Sequence, residues 1–237
     1  MGNVLTTVYT IDFLSDTWIR NTLITFLLMI FYLFISLKIS EKNIFTFLKI
    51  SSLTVIAMTL SNHILLASTG SWELQKHLPF HLCSISAIIC CVIFFVKKNQ
   101  FLFEFLFYAG ILGGIFSILT PQITLYNENY FFYVLFYFKH AVIIIIPIVM
   151  MVRLKMNLSK YSGLKIFGAV NVLLIIIMKI NSSIGSNYFY VASPPEVNNP
   201  LIVISDKTIL GLPEHVFYWE IVLIILVSAL YFIFKKR

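Results

Sequence analysis

Residues Lys76–Val96 read KHLPFHLCSISAIICCVIFFV. The second half of this stretch is almost pure hydrocarbon. The first half carries His77 and His81, with Pro79 between them and Cys83 just behind. A run this apolar belongs in a core or a bilayer, and two titratable rings at its mouth need a reason. Pro79 is tolerated in the first turn of a helix, where its missing N–H is no loss. The stretch therefore predicts a helix over Leu78–Val96 that enters lipid with histidines at its opening. His77 and His81 share one face if that helix begins early enough.

The rest of the chain decides between core and bilayer. Of its 237 residues 59% are apolar and 11% charged, against about a quarter charged in soluble domains. A water-soluble fold has no way to hide so much apolar surface. Runs near the roughly 20 residues needed to cross a bilayer recur at Thr22–Leu37, Ile44–Leu66, Leu78–Val96, Phe101–Leu119, Phe131–Val152, Leu164–Ile180 and Val216–Phe234. The expected fold class is all-α, a polytopic protein of the cell membrane with seven transmembrane helices in one domain over 1–237. Connections are short except at 181–213, whose Pro, Asn, Ser and Gly mark a loop. It is long enough to fold over the bundle mouth as a lid.

The net charge of +7 raises nucleic acid as a partner. The basic residues, however, sit at the ends of apolar runs and are not massed on one face, so no nucleic acid is expected. Ten of them (Lys38, Lys42, Lys97, Lys98, Arg153, Lys155, Lys160, Lys235, Lys236 and Arg237) fall on one side of the seven-helix scheme. Three (Arg20, Lys76 and Lys207) fall on the other. The positive-inside rule then places the N-terminus outside and the C-terminus in the cytoplasm. The opening MGNVLT fits a loose N-myristoylation pattern, but this topology puts it on the wrong side of the membrane.

Under the same topology all five histidines, His63, His77, His81, His140 and His215, lie in the outer half of the bilayer. Ionisable groups there are costly and by default mark a site. His140 sits roughly 13 Å below the surface at 1.5 Å per residue, too deep for bulk water, whereas neighbouring Lys139 can snorkel outward. The plainer reading is a neutral ring bonded to a hydroxyl, amide or carbonyl, gluing helices together. On a continuous helix Cys83 lies about 200° round from His81, aligned with Phe80 and Ala87. It reads as a small buried hydrophobe or as a group served by another helix. Cys83, Cys90 and Cys91 share one apolar segment, so no disulfide is expected. Glu220, near the outer end of the last span, is placed to accept a histidine's second N–H. Glu104 marks the inner end of the fourth span, and Gly110, Gly113 and Gly114 permit close helix packing.

Three stretches, LPFHLCSIS (Leu78–Ser86), FKHAVIIIIP (Phe138–Pro147) and GSNYFYVASPP (Gly185–Pro195), resemble the YwaF-like family of bacterial integral membrane proteins. That family is related to eukaryotic transmembrane protein 164. The resemblance spans most of the chain, in the same order. It implies an acyltransferase moving acyl chains between phospholipids, with a cysteine nucleophile in a Pro-Cys-His-Leu stretch. The matching residues here are Pro79, Phe80, His81 and Leu82, so phenylalanine stands where that cysteine would be. Cys83 lies one turn deeper.

A site in the outer leaflet has no access to ATP or acyl-CoA, so membrane lipids are the expected partners and no cofactor is expected. In this reading His140 is the general base, His81 the acid or oxyanion stabiliser and Cys83 the nucleophile, with Glu220 orienting a histidine. Substrate contacts are assigned to His63, His77 and His215, with Asn187 and Tyr188 from the third matching stretch. The loop would exclude water and favour transfer over hydrolysis. Two alternatives stand beside it. One is a small-solute binding or transport protein with histidines as ligands or proton carriers. The other is a zinc-dependent membrane hydrolase using the H-x-x-x-H spacing of His77 and His81, although no metal ligand set is assigned.

Overall fold

The computed structural model describes residues 6–96, 99–126, 130–199, 202, 205 and 207–235. Lys97, Lys98, Lys236 and Arg237 of the charge count, and Met1–Leu5 of the acylation pattern, lie outside the described residues. The chain runs β1 (Thr6–Thr10), α1 (Asp16–Lys38), α2 (Glu41–Ser68), α3 (Leu74–His77), α4 (Leu82–Val92) and α5 (Gln100–Phe105). A π-helical turn (Leu106–Gly110) leads into α6 (Ile111–Leu119), followed by β2 (Gln122–Tyr126), α7 (Tyr130–Arg153) and α8 (Ser162–Ile184). After a 3-10 turn (Tyr188–Tyr190) come β3 (Thr208–Ile209), β4 (Leu212–Pro213) and α9 (Glu214–Phe234).

Among the described residues six helical segments are long and apolar enough to cross a membrane: α1, α2, the run Gln100–Leu119, α7, α8 and α9. Their outer faces are apolar as well. Leu27, Ile30 and Phe31 of α1 and Ile224, Ile225 and Ile233 of α9 are exposed, as suits helices immersed in lipid. The fold is mostly helical, with two small additions that the sequence reading lacked. β1 pairs antiparallel with β2, and β3 with β4.

The helix expected over Leu78–Val96 is broken. A residue before proline is driven out of the α region, and Leu78 is extended at φ −64°, ψ 146°. That ends α3 at His77. His81 is extended too, as the N-cap of α4 at φ −67°, ψ 145°. Only 11 helical residues, Leu82–Val92, remain, about 16 Å at 1.5 Å per residue against a hydrocarbon thickness of about 30 Å. His77 and His81 therefore do not share a helix face. The angular separation of Cys83 from His81 lapses with it, because His81 stands outside the helix.

The bundle is built around α7, which packs against α1, α2, α4 and α6. Its closest neighbour approaches at glycines. A Cβ on Gly114 would lie 2.6 Å from Ile144 Cγ1 and 3.0 Å from the His140 carbonyl oxygen. One on Gly110 would lie 3.0 Å from the Ile143 carbonyl oxygen. Ile143 is the residue whose carbonyl loses its helical donor to Pro147, and the small residues let the two backbones meet there.

Polar ties close both ends. At one, buried Glu104 accepts from Gln100 Nε2 at 2.7 Å and from the Ser159 N–H at 2.8 Å, with Lys165 Nζ 2.5 Å away. Arg153 donates to the carbonyls of Ser36 and Ile39. At the other end β1 meets β2, Trp18 Nε1 donates to the Leu119 carbonyl at 2.9 Å, and the Phe13 N–H to the Asn198 carbonyl. α8 runs on to Ile184 and is capped by Gly185 at φ 68°, so the long loop begins there and not at Asn181.

Gly114→Val should destabilise the bundle by about 1–3 kcal/mol through overpacking. Gly113→Ala, whose Cβ would meet only the Leu82 side chain at 3.6 Å, should leave stability unchanged. Thermal melts of the detergent-solubilised variants check both.

Candidate functional site

The site is built on the break at Pro79. Tyr188 is fully buried. Its hydroxyl accepts from the Leu78 N–H at 2.9 Å and donates to the Leu74 carbonyl at 2.6 Å, two backbone groups that the interrupted helix leaves open. Asn181, in the last turn of α8, holds Tyr188 in turn. Its Nδ2 donates to the Tyr188 carbonyl at 2.9 Å, and its Oδ1 accepts the Tyr188 N–H at 3.0 Å. Asn187 Oδ1 accepts from the backbone of Ala192 and Ser193, and its Nδ2 donates to the carbonyl and hydroxyl of Ser193. Asn187 and Tyr188, expected as substrate contacts, thus have their polar atoms engaged within the protein. They shape the loop.

Beyond Tyr188 the chain adopts a left-handed backbone twice, at Phe189 (φ 61°) and Tyr190 (φ 54°). Bulky side chains rarely take this conformation, and such strain persists where surrounding contacts hold it. The result brings Tyr190 to His81, with ring centroids 5.1 Å apart, while Tyr188 lies 5.3 Å from the same imidazole. His215, at the start of α9 and 1% exposed, places Nε2 2.8 Å from the Tyr190 carbonyl. Cys83 is within electrostatic reach of Tyr190. Burial holds the Tyr190 phenol well above its ordinary pKa, with Cys83 and Glu196 adding to the effect. It remains an O–H donor at neutral pH.

His140 comes from α7 and is 2% exposed. Its Nδ1 lies 2.6 Å from the Phe136 carbonyl. A carbonyl can only accept, so Nδ1 carries the hydrogen and the neutral ring has its lone pair on Nε2. That Nε2 is buried without a partner. His140 and His81 feel each other electrostatically, and Lys139 reaches His63, His81 and His140. His63 stands a step away. Trp72 Nε1 donates to its Nδ1 at 3.1 Å, and the Trp72 ring is 6.3 Å from His77. His77 Nδ1 accepts the Glu73 N–H at 2.8 Å, leaving Nε2 as a buried, unpartnered N–H. Glu220 accepts from Asn171 Nδ2 at 3.0 Å across α8 and α9, so Asn171 stands where the sequence reading put a histidine. Among the described residues no three His, Cys, Asp or Glu side chains form a group that could hold a metal ion.

Sequence reasoning passed over Tyr190, Trp72 and Lys139. Tyr190 lies inside a quoted motif, yet its role depends on a left-handed backbone that no pattern announces. Lys139 was set aside as a snorkelling residue.

Long apolar helices packed around α7 define a polytopic helical membrane protein. More particularly, residues 13–234 match the model of the TMEM164 family, and the chain belongs to that family. No curated protein and no solved structure matches it.

Burial holds His77 below its usual 6.5, with the Glu73 carbonyl pulling the other way. As pH falls the unfolded chain takes up this proton before the folded one does. The contribution of His77 is therefore complete above its unfolded pKa and is lost as pH falls towards the folded one. From about pH 7.5 to about pH 5.5 the wild-type melting midpoint should drop further than that of His77→Gln. Equal drops would show that His77 stays uncoupled from folding.

Proposed function

We propose that this protein transfers acyl chains between membrane lipids at its histidine-bearing end. The observation that carries the reading is His140 Nε2, an unprotonated, unpartnered imidazole nitrogen held in one tautomer by the Phe136 carbonyl. A buried polar atom without a partner is expensive, and a general base awaiting a proton is a reason to keep one. In the proposed first half-reaction the Cys83 thiol gives its proton to His140 Nε2. The thiolate attacks the carbonyl carbon of a lipid ester, and Tyr190 O–H and His81 stabilise the oxyanion. The C–O bond then breaks, and the departing lysolipid oxygen takes the proton from His140. In the second half a lipid hydroxyl repeats the sequence on the thioester and restores the thiol. Phe80, at the family's cysteine position, packs edge-on against Tyr188 at 5.5 Å, which leaves Cys83 as the thiol nearest to the histidines in sequence.

The same reading places the N-terminus outside, in the cell membrane, with a seventh crossing over Leu78–Val96. Two contacts support that crossing. β1 pairs with β2, so the N-terminus and the end of α6 share one end of the bundle, and the α1–α2 turn lies at the other with Arg153. The chain leaving α2 must then cross again to reach Gln100, which donates to the Asn157 carbonyl just beyond α7. The loop from Gly185 to Pro213 acts as the lid, lifting to admit lipid and excluding water when down.

In reconstituted vesicles carrying one labelled ester lipid, His140→Gln should lower acyl exchange by about 10²-fold or more. Cys83→Ala should do the same if the thiol is the carrier. Retained exchange in Cys83→Ala, with loss in His140→Gln, would mean direct attack by the lipid hydroxyl. Retained exchange in both would refute the acyltransferase reading.

A further inference from the structure

A second site lies between α8 and α9, at the end of the bundle that carries Glu104. It is an open groove of about 330 Å³, walled by Tyr161, Gly163 and Phe167 on one side and by Ile224, Tyr231 and Phe232 on the other. The two helices are fixed against each other here. A Cβ on Gly163 would lie 3.0 Å from Val227 Cγ1, and Asn171 bonds Glu220 two turns further along α8. Two lysines ride on the groove's walls. Lys160 Nζ stands 4.8 Å from the Tyr161 ring centroid, and Lys235 Nζ 4.4 Å from that of Phe232 and 5.4 Å from that of Tyr231. Neither ammonium makes an ion pair among the described residues. Tyr161 is itself held in the left-handed region, at φ 62° and ψ 16°, a strain of the kind that gathers at ligand clamps.

An apolar groove in a bilayer gains nothing from hydrophobic transfer, because lipid tails are as apolar as its walls. What selects its occupant is charge at the mouth. Lysines at a membrane surface attract anionic lipids, and aromatic rings settle at head-group level. We propose that this groove holds an acyl chain of an anionic phospholipid, whose phosphate is bound by Lys160 and Lys235. A zwitterionic lipid offers the same phosphate but brings an ammonium of its own, which the two lysines repel. The occupant also supplies packing that the chain lacks, since only 11% of the spanning window of α9 is buried within the protein. Among the described residues the lining holds neither histidine nor cysteine. The lipid here is a fixed companion of α8 and α9, apart from the acyl transfer proposed at the other end.

The test uses the full chain in nanodiscs mixing phosphatidylglycerol and phosphatidylcholine of identical acyl chains, reading retained lipid by native mass spectrometry. Wild type should retain phosphatidylglycerol about 25-fold better than phosphatidylcholine, about fivefold for each lysine. Lys160→Gln and Lys235→Gln should each lower that preference about fivefold, and the double variant should erase it. Lys38→Gln removes another ring-borne lysine at the same end, 5.4 Å from Phe34 on α1, and should leave the preference unchanged. Ser228 is exposed and lines the groove, so Ser228→Trp should fill it and cut phosphatidylglycerol retention as far as the double variant does. Equal retention of the two lipids by wild type, or full retention in Ser228→Trp, overturns the proposal. So does a loss in Lys38→Gln equal to that in Lys160→Gln, which would mark general surface charge. A dimer that Ser228→Trp dissociates overturns it too, by showing that a second copy of the chain covers this face. The readout needs no turnover. Failure of His140→Gln to affect acyl exchange would remove the acyltransferase reading and leave this site standing, and the reverse also holds.

Discussion

Within a bilayer every backbone polar group must find a partner inside the protein, and Pro79 makes that demand acute. By forcing Leu78 out of the helical region it opens a donor on Leu78 and an acceptor on Leu74. One hydroxyl, that of Tyr188, answers both. A hydroxyl suits this because it donates and accepts at once. Since Tyr188 is itself pinned by Asn181, the repair joins the α3–α4 junction to α8. It also brings the following turn over His81. Without the break, His81 would be buried in the second turn of a helix and not displayed at its cap.

The two ends of the bundle are held by different means. Around Glu104 a charged network of short hydrogen bonds ties the start of α5 to the α7–α8 connection and α8. Removing Lys165 would leave the buried Glu104 charge uncompensated, a strongly destabilising change. At the opposite end the ties are neutral and mostly main-chain: strand pairing, the Trp18 indole on Leu119, the Asn198 carbonyl on Phe13. Neutral hydrogen bonds are individually worth about 1 kcal/mol.

Much of this was legible in the sequence. Apolar length alone located the six long helices, because a 20-residue hydrocarbon run has few other places to go. Histidines in such runs stood out for the same reason. Three features were hidden. The reading of Pro79 as a first-turn residue was chemically allowed, but it overlooked the constraint a proline sets on the residue before it. The β1–β2 pairing joins segments far apart in sequence, and neither carries a strong strand signal. Tyr190 became visible only through backbone torsions that local pattern disfavours. Glu220 illustrates a different miss: its partner is Asn171, on the neighbouring span, and not a histidine.

The β1–β2 ladder sets a timetable for biosynthesis. Residues Thr6–Thr10 leave the ribosome first, yet their partner strand at Gln122–Tyr126 follows about half a chain later. The segment after α8 is later still, and it docks on Gln122 through the Glu196 N–H and on Phe13 through the Asn198 carbonyl. This face of the molecule is therefore completed only after α1 to α8 have been made. A nascent chain stalled before α8 would hold His81 without Tyr188 and Tyr190 beside it.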